Sequence, residues 1–286
     1  MSSPGSAFRT SAATDPRPRL SATLGSLVEA GLAVEEALVR LSGLGYRACQ
    51  WPGTAPGCRA KDLDRSGRRG VAAALRKREL GLSGIDLWIP PAHFLDPTTV
   101  DRAVAAVGEA VGLASELALG LADSSRPRPA VGVLLPIESD LMKDAALVAR
   151  LHEVVAELAR VSAREGIPVA DHSTDAPART AAGLAIGLDP VAELAAGRDP
   201  AVAAMRAGAS LASARLADLS RSGLRLPPLE PREARLDVDA YLAALDVGGY
   251  RRELVVDARQ WRDAAAGLAA TIERCGDRLA PAGGLR

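Results

Sequence analysis

Past its first 18 residues the chain alternates short apolar runs with longer amphipathic stretches, and it does so eight times. The strand-like runs are residues 19–24, 46–51, 82–89, 130–135, 167–171, 184–188, 211–216 and 253–256. Between them, 33–44 puts Val34, Ala37, Leu38 and Leu41 on one stripe at helical spacing. Residues 62–79, 96–118, 141–165, 199–208, 237–245 and 261–275 also read as helices. Asp96–Pro97 and Asp199–Pro200 each offer an N-cap followed by a proline at the first helical position. Gly166 stops the longest helix. Strands that alternate with helices must pair in parallel through right-handed crossovers. Eight such units predict a closed (β/α)8 TIM barrel over 19–286 as a single domain. Residues 1–18, rich in Ser, Pro, Ala and Arg, are expected to be a disordered tail. Residues 219–235 form a Pro- and Arg-rich loop after the seventh strand. Long loops at that face of a barrel carry function.

Composition narrows the partners. Lys+Arg and Asp+Glu both number 35, so no net field draws nucleic acid or an anionic membrane to the chain. Charged residues interrupt the Ala/Leu-rich stretches, and no membrane span is expected. Cys49, Cys58 and Cys275 are odd in number and lack zinc-site spacing, which suits a reducing cytoplasm. A small molecule is the expected partner, and a homo-oligomer is left open.

Three of the apolar runs close on an aspartate: Asp171, Asp189 and Asp257. At one rim of a barrel the three would converge. Such a set suits a hard divalent ion, Mg²⁺ or Mn²⁺. It equally suits a metal-free cluster in which arginines offset the charge. Each residue also has a plainer use. Asp189 precedes Pro190 and can cap a helix, Asp171 can serve a turn, and Asp257 can pair with Arg259 or Arg215. His172 would point away from Asp171 on a strand. His93 follows the third strand, Trp51 ends the second, and Glu138 and Lys143 follow the fourth. His93, Trp51 and Glu138 are therefore candidates for substrate contact. Trp88 reads as core and His152 as a helix-surface or packing residue. Arg221, Arg225, Arg232 and Arg235 could hold a phosphate.

The run Ile186–Gly187–Leu188–Asp189–Pro190, with the helix through Gly197–Arg198–Asp199–Pro200, resembles the sixth unit of the xylose-isomerase-like barrel family. Ala214–Arg215–Leu216–Ala217–Asp218 stands where that family has a hydrophobic–x–His–x–x–Asp strand. Leu236–Asp237, Gly249–Tyr250 and Leu254–Val255–Val256–Asp257 follow in the family's order. The resemblance implies a sugar (phosphate) isomerase or epimerase that moves a proton next to a carbonyl. It implies Asp171, Asp189 and Asp257 as metal ligands, Asp171 and Asp257 as the acid–base pair, and Arg215 and Asp218 as substrate contacts. Two family glutamates have become the shorter Asp171 and Asp257, each losing ~1.5 Å of reach. The family histidine has become Arg215, which cannot ligate a metal. The alternative implied is a catalytically degenerate barrel that holds a small anionic metabolite without metal. The DNA-repair branch of the family is excluded, since its metal site needs many histidines and this chain has three.

Overall fold

A computed structural model describes residues 20–121, 126–228 and 234–279, with side chains described as far as Cys275. The expected tail and Arg232 lie outside the described residues. In chain order the elements are β1 (Leu20–Thr23), α1 (Gly25–Glu29), α2 (Val34–Gly43), β2 (Ala48–Pro52), α3 (Arg65–Lys77), β3 (Gly81–Asp86) and α4 (Val100–Leu121). There follow β4 (Ala130–Val133), α5 (Ala145–Glu165), β5 (Val169–Asp171), α6 (Ala176–Arg179), β6 (Ala185–Leu188), α7 (Pro190–Ala195), α8 (Pro200–Ala207) and β7 (Leu211–Leu216). The last are β8 (Asp218–Leu219), β9 (Arg225–Leu226), α9 (Val238–Val247), β10 (Leu254–Val256) and α10 (Ala264–Leu279).

Strands β1 to β7 and β10 close into one barrel, all pairs parallel, with β10 joining β1 to β7. All eight expected strands are present, so the fold is the (β/α)8 barrel that the alternation predicts. The rise of one strand per apolar run leaves every second side chain facing the barrel axis. Val131, Val169 and Ile186 join the large core under the helices. Their neighbours Ala130, Ala170, Ala185 and Ala212 form a separate small-residue layer inside the barrel.

Three expectations are corrected. Residues 219–235 are not wholly irregular, because β8 and β9 pair antiparallel as a hairpin rooted just beyond β7. Helix α4 begins at Val100 instead of Asp96; the Asp96 carboxylate accepts from the Thr98 amide at 2.8 Å and caps a turn before the helix. The 22 residues of α4 are also long and apolar enough to cross a membrane, contrary to the sequence reading. Here Ala103, Val107, Ala110, Val111, Ala114 and Leu117 of that helix are buried against the rest of the barrel.

Candidate functional site

The C-terminal mouth of the barrel holds three aspartates and three arginines in one interlocked set. Asp86 ends β3, Asp189 follows β6, and Asp257 follows β10. Arg215 rises from β7, Arg225 reaches in from the β8–β9 hairpin, and Arg259 lies two residues beyond Asp257. Arg215 donates to Asp86 at 2.9 Å and to Asp189 at 3.4 Å. Arg225 bridges Asp189 at 3.1 Å and Asp257 at 2.6 Å. Arg259 grips Asp257 through Nε at 2.7 Å and Nη2 at 2.5 Å, and reaches Asp86 at 2.9 Å. Tyr241 of α9 donates to the Arg215 carbonyl at 3.0 Å and fixes the strand where that guanidinium begins.

The set is nearly sealed from water: Asp257 is 0% exposed, Arg215 5% and Asp189 7%. Burial pushes the Asp257 carboxyl upward, but Arg259 and Arg225 beside it overcome this and hold it well below the usual carboxylate range. Burial likewise opposes charge on Asp189, and Arg225 and Arg215 hold its carboxyl down. Desolvation lowers the Arg259 guanidinium, and Asp86 and Asp257 more than restore it. Trp88 is half exposed, and the Arg259 guanidinium carbon lies over its ring, 4.2 Å from the ring centre. This is cation–π geometry.

The expected convergence holds for Asp189 and Asp257 and fails for Asp171. Asp171 faces the helices, because on β5 it is Ala170 and His172 that point inward. It accepts from the amides of Leu135 (3.1 Å) and Ser173 (2.9 Å), from the Ser173 hydroxyl (2.8 Å), and from the buried Arg179. Arg179 also donates to the Ser173 hydroxyl at 2.9 Å and to the Pro136 carbonyl, so the group ties the β4 and β5 exits together. Asp86 takes the third acidic place in the mouth. Its signal was in the sequence: reading the third strand through residue 89 hid an apolar run that closes on an aspartate.

The other candidates are also placed apart. Trp51 is buried on the helix side and donates to the Cys58 carbonyl at 2.9 Å. The tryptophan at the mouth is Trp88, expected in the core. Asp218 is fully buried and accepts from the amides of Leu219 (2.7 Å), Arg235 (3.1 Å) and Leu236 (2.9 Å). It thereby closes the base of the hairpin loop instead of facing the mouth. Glu138 points to the surface and meets His152 at 3.3 Å. His93 sits in a turn (Pro91–Phe94) and lines a cavity beside α4. Among the described loop arginines, Arg225 alone joins the site; Arg235 donates to the Leu194 carbonyl at 3.0 Å.

No protein-family model and no curated protein matches the chain. Solved structures match it in shape. A xylose isomerase domain protein from Planctomyces limnophilus superposes with a TM-score of 0.69 at 18% identity, covering 91% of this chain and 96% of that one. One from Alicyclobacillus acidocaldarius gives 0.69 at 15% identity, over 93% and 99%. The 3-keto-D-glucoside 4-epimerase of E. coli gives 0.66 at 13% identity, over 91% and 100%. The chain shares the (β/α)8 barrel fold of these proteins. Identity this low establishes the architecture and leaves activity to the site.

The mouth of this barrel does not fit a hard divalent ion. The carboxylate oxygens of Asp189 and Asp257 that would face an ion already accept guanidinium N–H groups. Among the described residues no three His, Cys, Asp or Glu side chains gather around a point able to hold one.

His172 lies just below this set, 2% exposed, with no hydrogen-bond partner at either ring nitrogen. Gly132 and Gly187 make its room: a Cβ on Gly187 would stand 2.6 Å from the imidazole, and one on Gly132 3.3 Å. Burial, then the positive charges of Arg215 and Arg259, hold the imidazole well below its ordinary value, so it is neutral at pH 7. The unfolded chain takes up a proton here below about pH 6.5, and the fold does not. More protons on the unfolded state means that stability falls as the pH falls. From this residue we expect a loss of about 1.4 kcal/mol per pH unit below ~6.5, until the depressed folded value is reached. Urea unfolding between pH 7 and 5 should show that slope in the native chain and a flatter one in His172→Gln. Equal slopes would refute the neutral assignment. The contribution of Asp189 and Asp257 changes in the same direction but in a lower window: it is complete above about pH 4 and is lost only below that.

Proposed function

We propose that this barrel binds a small, anionic, carbohydrate-like metabolite at its mouth and that it does so without a metal. The observation that carries this is the interleaving of Arg215, Arg225 and Arg259 with the three carboxylates. Guanidinium forks match phosphate and carboxylate groups in bidentate geometry. A ligand anion competes with the aspartates for them, most easily for Arg225, which comes in on the hairpin and not on a barrel strand. The exposed face of Trp88 offers a stacking surface for a sugar ring at the same rim. Sugar epimerases among the structural neighbours support the carbohydrate part of this reading.

The test is a thermal-shift series with D-fructose 6-phosphate and D-fructose, in the native chain and in Arg225→Gln, beside turnover assays with and without Mn²⁺. The phosphate ester should raise Tm, the neutral sugar should do so less, and Arg225→Gln should remove the difference. Manganese-dependent epimerisation of a ketose would defeat the metal-free reading.

One observation favours a second reading, metal-free proton transfer next to a carbonyl. His172 is a neutral imidazole under the mouth with both nitrogens unengaged, beside a guanidinium able to stabilise an enediolate. The pair Asp171 and Asp257 serves this chemistry poorly, since Asp171 faces the helices and Asp257 is far too acidic to accept a proton near neutrality. Ketose turnover without metal that disappears in His172→Gln would establish this reading.

A further inference from the structure

We propose a second ligand site, outside the mouth, that takes a small amphipathic anion: a single aromatic ring or short acyl chain bearing a carboxylate. A cavity of about 250 Å³ lies between the loop after β2, the segment after β3 and one face of α4. That volume lies just below the range of ordinary ligand pockets, roughly 300–1,000 Å³, and suits one ring. The α4 wall is Ala103, Ala106 and Ala110, spaced to share one helix face. Their methyl groups leave open the space that leucines would fill. Leu87 and Ile89 form the opposite apolar wall. Trp88 between them turns to the mouth instead, so the two sites share a single piece of chain.

The polar groups are few and lie at the edge. Lys61 and Arg102 form no ion pair among the described residues, whereas the Arg59 guanidinium is engaged by Asp62 at 2.6 Å. Glu109 is the one acid on the lining, so positive charge prevails there. His93 and the hydroxyls of Thr54 and Thr99 complete the rim. Thr99 donates to the His93 carbonyl at 3.0 Å, which anchors that turn immediately before α4. An apolar floor with a cationic edge selects a ligand that is apolar at one end and anionic at the other. A polyhydroxylated sugar would leave its hydroxyls against alanine, at a cost in unmet hydrogen bonds.

Benzoate is the probe, benzamide its uncharged control, and two-dimensional amide NMR the readout on the full chain. Benzoate should give saturable shifts confined to residues 53–61, 87–99 and 102–110. Lys61→Glu/Arg102→Glu, both exposed sites, should weaken it at least tenfold without altering Tm. Ala106→Phe, which fills the cavity, should abolish it. If Ala106→Phe does not fold, the charge-reversed double variant decides the matter by itself. Absence of saturable benzoate binding, equal binding of benzamide, or an unchanged affinity in the double variant would each overturn the proposal. Arg225→Gln should leave benzoate binding untouched, so this result is read separately from that at the mouth.

Discussion

Arg259→Ala is expected to destabilise the protein by about 3–5 kcal/mol, the range for breaking one partner out of a buried ion pair. The loss comes from what stays behind. Asp257 would lose its donors at 2.5 and 2.7 Å, and Asp86 its donor at 2.9 Å, in a place where water cannot replace them. Trp88 would lose the cation beneath its ring. For a domain of this size Tm should fall on the order of 10 °C. Arg259→Lys should recover only a small part, because an ammonium cannot reproduce the fork that spans two carboxylates. Urea unfolding at pH 7 measures the effect. A loss under about 1 kcal/mol, the size expected of an exposed pair, would mean that water reaches the mouth and that the set is not sealed.

Asp171→Ala should cost a similar amount, about 3–5 kcal/mol, for a separate reason. Four donors converge on this carboxylate, one of them the buried Arg179. Its removal strands a guanidinium between α6 and the β4 exit. Calorimetric melting gives the magnitude. A milder substitution separates structural from chemical roles, since Asp171 lies outside the mouth. In a folded Asp171→Asn chain the Tm increment given by D-fructose 6-phosphate should equal that of the native chain. Loss of that increment in a fully folded variant would return Asp171 to the binding site.

The two aspartates show how much of the site was legible. Asp171 and Asp257 close apolar runs in the same way, and nothing in the local pattern separates them. The strand period does: His172 occupies the inward register on β5, whereas Asp257 itself holds it on β10. A displacement of one residue sends a side chain to the opposite face. Where each strand ends relative to its apolar run is fixed by pairing with its neighbours, and that is not a local property. Asp86 was missed because the third run was read through residue 89, and Trp88, two residues on, was missed with it. Arg225 stood in the sequence as one of four loop arginines. Only the β8–β9 pairing singles it out, by turning it back over the mouth.

By itself, then, the order of apolar runs and helices determined the eight-fold barrel, because each segment's period can be satisfied only by burying one face in that alternation. The sequence also marked Asp189 and Asp257 as acids at the carboxyl ends of strands, with Arg215 and Arg259 as possible partners of Asp257. Tertiary structure alone decided which acids meet which arginines. Long-range neutralisation in a dry cavity depends on distances between residues far apart in the chain, such as Asp86 and Arg259 at 2.9 Å. Neither periodicity nor spacing encodes those distances.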